Sequence, residues 1–409
     1  MVAQNNRVHW GIHAVQLKSG RILASLNADQ FFVPASNTKL FSTAMALTAL
    51  GPDFRFTTRV TASALPDSSG LLNGNLVLVG GGDPSFSSRR YPYDKDKELE
   101  DDRLSPLRDL ARQLKDRGVR HITGTIIGDG SQYEFDLVPS GWSASDGLFE
   151  YGAPVSALTY NDNVFGLTLS PSGITLNPPV EYFALLNQVA FAPGKPRRIR
   201  VERLPGSRTV VLSGNLPPGA KDYTNDLAVD DPALYAAVAF RQVLREEGIR
   251  VDGSADCRHT APAEPESIEL ARRGSPPLTE LLKVVDKVSQ NLHAELVLRA
   301  AKQRLSMPDF LKLASIDEKD VHFEDGSGMS RLNLVSPKAV VQLLRFIEQR
   351  PRVLDATERG QTHRDLRETP RAFRAPEPGD ALPKFGEIFR LPTTLRTSPK
   401  NDRPMIHVG

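Results

Sequence analysis

The stretch Pro34-Ala35-Ser36-Asn37-Thr38-Lys39-Leu40 decides the reading of this 409-residue chain. It places a serine three residues ahead of a lysine, at the start of an apolar run. Leu40, Phe41, Ala44, Met45, Leu47, Ala49 and Leu50 predict a buried helix, which Gly51-Pro52 closes. Positions i and i+3 share a helix face, so the Ser36 hydroxyl and the Lys39 amine can touch. A serine hydroxyl is a weak nucleophile at neutral pH and needs an adjacent base, a task a desolvated lysine can perform. Burial shifts a lysine in the required direction, toward its neutral form. Ser-x-x-Lys also arises by chance, so an N-capping serine with an exposed lysine on the first turn stays open here.

Two later segments narrow the choice. Val288-Ser289-Gln290-Asn291-Leu292 carries Ser-x-Asn, and Asp325-Gly326-Ser327-Gly328-Met329-Ser330-Arg331-Leu332-Asn333 follows it. Taken alone, Ser-x-Asn reads equally well as two polar residues on a helix or turn. Ser-x-x-Lys followed by Ser-x-Asn is the motif order of penicillin-binding proteins and serine β-lactamases. About 250 residues separate Ser36 from Ser289. A compact domain of that kind has no need of such a length, so a large insertion is expected between the motifs.

Further short matches fall in a consistent order: Gly20–Leu23, Phe32–Leu40, Leu78–Phe86, Gly128–Ser131 with Phe135, Tyr151–Leu158, Ser289–Glu295 and Asp325–Gly328. Through them the chain resembles the D-alanyl-D-alanine carboxypeptidase/endopeptidase group of class C low-molecular-mass penicillin-binding proteins, the S13 serine peptidases, from about residue 8 to about residue 349. The resemblance implies a multidomain α+β/α/β protein with a β-lactamase/transpeptidase-like catalytic domain and a large β-rich insertion between the first and second motifs. The expected catalytic domain joins 1–60 to 226–349. The insertion covers 61–225 as one or two subdomains, and 350–409 is a Pro/Arg-rich irregular tail. By resemblance Ser36 is the nucleophile and Lys39 its base. Ser289 relays a proton toward the leaving group, and Asn291 orients the substrate backbone and helps hold Lys39. Asp325, Gly326, Ser327 and Gly328 are placed near substrate or in the roof of the site. Pro154 and Ser156 shape a cleft wall or pack between domains. The implied partners are peptidoglycan peptides and β-lactams, and the implied location is periplasmic or otherwise extracytoplasmic.

The chain departs from this family in two places. Gln290 stands where an acidic residue is common. More seriously, no Lys-Thr-Gly follows Ser-x-Asn; Lys384-Phe385-Gly386 is nearest in pattern and Lys400 in position. After about Gln349 the hydrophobic periodicity gives way to interleaved charges, with eight prolines in the last 59 residues. Such a segment buries too little apolar surface to offset its ordering entropy. The tail therefore reads as a frame-shifted or otherwise replaced C-terminus, with natural divergence as the alternative. Two functional readings follow, an active serine carboxypeptidase/endopeptidase or a catalytically impaired peptidoglycan-binding relic. A serine esterase or β-lactamase using the same Ser–Lys pair fits poorly with so long an insertion.

Composition excludes other classes. Lys and Arg (51) nearly balance Asp and Glu (49), giving a net charge of +2 and no electrostatic case for nucleic acid. Cys257 is the only cysteine, which excludes an intramolecular disulfide and a cysteine-based metal cluster. Of the eight histidines only His9 and His13 stand in His-x-x-x-His spacing, within a stretch that reads as strand rather than helix, so neither a metal nor a cofactor is expected. Gly80-Gly81-Gly82-Asp83-Pro84 lacks the lysine of a phosphate loop and reads as a structural turn. No apolar run is long enough to cross a membrane. The first residues read as strand (Val8 to Leu17) rather than as a signal peptide, so the reading infers a late start codon. Helices are expected over Leu104–Arg117, from Asp231-Pro232, from Pro276-Pro277-Leu278 up to Ser289, and over Val335–Gln349.

Overall fold

The computed structural model describes residues 8–17 and 19–360, with side chains through 349. The described residues up to 346 belong to a first compact unit and 347–360 to a second. Within the first unit the architecture is mixed α/β. It opens with an antiparallel hairpin, β1 (Ile12–Val15) and β2 (Ile22–Leu26), paired Ile12 to Leu26. A 3-10 turn at Ala35–Asn37 leads into α1 (Thr38–Leu50). This helix is buried on nearly every side: Phe41, Ala44, Met45, Ala46 and Leu47 face apolar neighbours, while Lys39, Ser42 and Thr43 are buried beside them. A helix that hides so many faces belongs in the interior of a domain. Each fully buried Leu, Met or Phe adds about 1.5–3 kcal/mol.

Strands β3 (Thr57–Ala62) and β4 (Leu76–Val79) follow, then α2 (Ser105–Asp116) and β5 (Ile126–Asp129). The next 64 or so residues hold β6 (Val164–Ser170), β7 (Gly173–Asn177), β8 (Ala184–Ala190), β9 (Arg198–Glu202), β10 (Thr209–Asn215) and β11 (Tyr223–Ala228). Helix α3 (Pro232–Glu246) comes next, then β12 (Ala255–Arg258) and β13 (Ile268–Gly274). Asp231 caps α3 by accepting from the Leu234 N–H at 3.0 Å, with Pro232 in the first turn where a missing donor costs nothing.

The largest sheet has the order β12-β5-β4-β3-β13. Its β12, β5 and β4 run parallel, with Ala255 and Leu76 both opposite Ile126, and β3 and β13 are antiparallel. Three three-stranded sheets accompany it: β11-β6-β7, β8-β10-β9, and one of the short strands Arg250–Val251, His121–Ile122 and Leu71–Leu72. Leu107, Leu110, Ala111 and Leu114 of α2 join Ala236, Phe240 and Val243 of α3 in one core with Leu76, Leu78 and Ile126. The Gly80–Pro84 turn is structural: a Cβ on Gly81 would sit 2.1 Å from the Thr57 carbonyl oxygen, a backbone approach only glycine permits.

The expected boundary at 225 falls inside β11, which pairs without interruption with β6. Beyond it, α3 packs on β5 and β12, and the sheet begun by β3 ends only with β13. Sequence texture shifts to helical at Asp231, but hydrogen bonding keeps 226–274 with the strands before it. After β13 the chain is helical: α4 (Leu278–Val288), α5 (Asn291–Lys302), α6 (Met307–Leu313) and α7 (Pro337–Gly360). Helix α7 runs past Gln349, where the apolar periodicity of the sequence fades. Lys384–Gly386, Lys400 and the rest of 361–409 lie outside the described residues. Among the described residues no helix is long and apolar enough to cross a membrane.

Candidate active site

Helices α1, α4 and α5 and the loop after α6 converge on Lys39. Ser36 is exposed, whereas Lys39 is buried to 2% exposure. The Lys39 Nζ lies 2.6 Å from Asn291 Oδ1, 2.7 Å from the Ser327 carbonyl oxygen and 3.3 Å from Ser36 Oγ. The Ser289 hydroxyl donates to Ser36 Oγ at 3.1 Å. Residues 253 positions apart thus form one continuous polar line. The N-capping alternative for Ser36 fails, since the first turn of α1 has no side-chain cap bond and Lys39 points inward.

This geometry suits a neutral amine. Burial pushes Lys39 down from 10.5 to about 8, against the pull of Asp325, Glu295 and Asp286, whose negative charges favour the ammonium. A neutral amine has two N–H donors and one lone pair. The two short contacts, to Asn291 Oδ1 and the Ser327 carbonyl, take the donors, and the lone pair is left for the Ser36 hydroxyl. The amide of Asn291 is held in this sense because its Nδ2 donates to the Tyr151 carbonyl at 2.9 Å.

Backbone strain brackets Ser36. Ala35, just before Ser36, has φ +47°, and Ser289 has φ +61° as it closes α4. Left-handed backbone at non-glycine residues costs about 1–3 kcal/mol and gathers at functional sites. At Gly328 (φ +86°) a Cβ would lie 1.8 Å from the Ala35 carbonyl oxygen, so the roof loop presses directly on the strained turn.

The Asp325–Gly328 block contributes through its backbone. Asp325 and Ser327 are buried, and Ser327 offers its carbonyl to Lys39. The Asp325 carboxylate accepts from Trp142 Nε1 (2.7 Å), the Ser327 hydroxyl (2.8 Å) and the Ser330 and Gly328 amides (both 2.9 Å). Burial opposes its ionisation, yet these donors outweigh burial and hold it below the usual carboxylate range. Gly326 donates to Glu295 Oε1 at 2.7 Å and accepts from the Ser42 hydroxyl at 2.7 Å. Pro154 and Ser156 lie in a buried stretch, where Val155 and Ala157 pack with Leu292 and Leu296 of α5.

Two acids near Lys39 carry no role in the sequence reading. Burial, reinforced by Asp325, pushes Glu295 up to about 7. Burial also pushes Asp286 up to about 8, against the positive charges of Lys39 and Lys287. Glu295 sits four residues after Asn291 and Asp286 three before Ser289, so helical spacing from the motif was the available signal. A cavity of about 810 Å³ lined by residues 90–95, Lys97 and Lys287, with four basic side chains against the single acid Asp94, reaches the C-terminal end of α4, two residues before Ser289.

The fold and this cluster bring a Ser–Lys pair together with a Ser-x-Asn segment. The chain belongs to the D-Ala-D-Ala carboxypeptidase 3 (S13) family, matching it over residues 1–359. It is 30% identical to a D-alanyl-D-alanine carboxypeptidase of Actinomadura sp. (strain R39), over 82% of this chain and 63% of that protein. It is 26% identical to the D-alanyl-D-alanine carboxypeptidase DacB of Haemophilus influenzae, over 82% of this chain and 70% of that protein. The crystal structure of penicillin binding protein 4 (dacB) from Haemophilus influenzae superposes with a TM-score of 0.71 at 26% identity, covering 85% of this chain and 77% of that one. The chain therefore spans a little under two thirds of the length of the Actinomadura relative.

Proposed function

We propose that the protein is a serine-type D-Ala-D-Ala carboxypeptidase/endopeptidase of peptidoglycan stem peptides that is also acylated by β-lactams. The observation that carries this reading is the proton line Ser289–Ser36–Lys39, with a desolvated lysine at its end. Lys39 takes the Ser36 proton as Oγ attacks the carbonyl of the D-Ala-D-Ala bond. Ser289 passes a proton to the leaving amine, and water then releases the acyl group. The Ser36 amide is one oxyanion donor; the second is the one the family takes from its Lys-Thr-Gly strand, a motif this sequence does not contain. One such donor is worth about 10²–10³ in rate.

Asn291 both orients Lys39 and faces the substrate backbone, while Asp325–Gly328 hold the lysine from above. The catalytic body comprises the residues up to α1 and those from α4 through the start of α7, with the β-rich region inserted between its motifs. The basic cavity beside Lys287 complements the free carboxylates of a stem peptide. Action on such a substrate places the protein outside the cytoplasm. An assembled proton line favours turnover over a binding relic.

Intact-mass measurement after incubation with benzylpenicillin tests the reading. One adduct per chain, absent in Ser36→Ala, is the expected result. A folded wild-type chain that stays unmodified would overturn it.

A further inference from the structure

Away from the serine site, three metal-ligating groups of different chemistry meet at one edge of the five-stranded sheet. Cys257 is in the edge strand β12 and His259 follows two residues later, so the two side chains share a face. The intervening Arg258 turns to the other side, onto Asp129 and Glu266. Asp231, capping α3 through Oδ1, brings its second oxygen to the same point. Cys257 Sγ is 3.4 Å from Asp231 Oδ2 and 3.5 Å from His259 Nε2, and His259 Nε2 is 2.9 Å from Asp231 Oδ2.

The two sulfur distances are edge lengths of a coordination tetrahedron, while the 2.9 Å His259–Asp231 contact is a hydrogen-bond length that opens slightly to reach its edge. Zinc bonds of about 2.3 Å to sulfur and 2.0–2.2 Å to nitrogen and oxygen, opened to tetrahedral angles, put sulfur about 3.5 Å from either partner and nitrogen about 3.3 Å from oxygen. Asp230 and Asp256 add their negative charge around the same sulfur. The Phe135 ring packs on the His259 imidazole at 4.3 Å between centroids and fixes its plane. All three ligand residues are partly buried, which leaves a fourth position open to water.

We propose that Asp231, Cys257 and His259 form a binding site for a single zinc-class divalent cation, tying the N-terminus of α3 to the end of β12. On binding, the Cys257 S–H bond breaks, its proton leaves to solvent and a sulfur–metal bond forms. The imidazole proton moves to Nδ1, freeing the Nε2 lone pair. One proton is released per metal bound. Local spacing does not reveal this site, because Cys257-x-His259 along a strand supplies only two ligands and the third comes from another element.

Cobalt titration of the chelator-stripped full chain tests this. Because the chain has one cysteine, a thiolate-to-Co(II) charge-transfer band in the near ultraviolet can come only from Cys257. The band should saturate at one equivalent, be bleached by Zn(II), and be absent in Cys257→Ser. Asp231→Asn keeps a competent helix cap and should weaken binding by about tenfold or more. A folded wild-type chain with no band, or a band that survives Cys257→Ser, overturns the site and leaves an ordinary His–Asp hydrogen bond beside a neutral thiol. Should Cys257→Ser fail to fold, the wild type still decides: Zn(II) must protect Cys257 from alkylation, and unchanged alkylation refutes the proposal.

Discussion

Two buried cations in this molecule have opposite fates. Lys39 is 2% exposed and the Arg89 side chain 7%. Burial pushes both toward the neutral form. Arg89 faces charged oxygens, Asp162 at 2.7 Å and Glu98 at 3.2 Å, and ends above its ordinary value. Asp162 in turn sits between Arg89 and His293, 2.8 Å from the imidazole. Burial opposes its charge, but these two partners overcome it and hold the carboxyl well below the usual range. Lys39 instead touches neutral oxygens only, and its nearest carboxylates act from farther away, so desolvation wins and its pKa drops to about 8. A paired charge locks a structure, whereas an incompletely compensated one can exchange its proton. Both clusters end on α5, where His293 and Asn291 share the first turn. The locked one anchors the helix that the exchangeable one uses.

The sharpest way to break the contrast is to remove the exchangeable base. Lys39→Ala should slow benzylpenicillin acylation by about 10²–10⁴-fold with the fold retained, the usual contribution of a general base. Adduct formation followed by mass against time reports it, and an unchanged rate would transfer the role of base elsewhere. Breaking the locked cluster should act on stability. Asp162→Asn tolerates the left-handed backbone at φ +54° but leaves buried Arg89 with only the longer Glu98 contact and removes the carboxylate that meets the His293 imidazole. A loss of about 3–5 kcal/mol in denaturant unfolding is expected. A loss under 1 kcal/mol would show that the network contributes little.

Gly328→Ala tests the contact between roof loop and nucleophile turn. Its Cβ would collide with the Ala35 carbonyl, and the backbone angle alone costs about 1–3 kcal/mol. Acylation should fall more than thermal stability, since Ser36 must shift to make room. Acylation should also rise with pH through about 8, tenfold per unit on the acid side, because only the free amine can take the serine proton. The same group affects stability. Folded Lys39 loses its proton near 8 and the unfolded chain near 10.5, so between those values the unfolded state binds more protons and the Lys39 contribution to stability rises with pH. The finest adjustment is Asp286→Asn. Asp286 favours the ammonium only in its ionised form, and burial keeps much of it protonated below about 8, so the substitution should move the acid limb to lower pH by only a fraction of a unit, read from the pH–rate profile. A move to higher pH would contradict the electrostatics described here.

Much of the fold was legible where the signal is local. Strand β2 and helix α4 fall where sequence pattern and turn residues put them, and α1 starts and stops within two residues of the expected run. The boundary at 225 was misplaced because β13 returns to pair with β3, a contact some 200 residues long in sequence that leaves no local trace. Helix α5 was not singled out, although Asn291, Glu295 and Leu298 lie on its faces; the eye stops at Ser-x-Asn. Tyr151 entered only as the start of a matched segment, and only the fold shows its carbonyl setting the amide of Asn291.

By itself, then, the sequence determined the chemistry on offer: a serine and a lysine one turn apart, a Ser-x-Asn and a glycine-rich roof loop in an order that points to one family. These follow from spacings of a few residues, which backbone geometry converts directly into proximity. Tertiary structure alone decided that Lys39 is desolvated, that its two donors are taken by Asn291 and Ser327, and that Asp231 meets Cys257 and His259. Each depends on chain segments far apart in sequence, and the burial that tunes a pKa or shapes a ligand cage exists only once they pack.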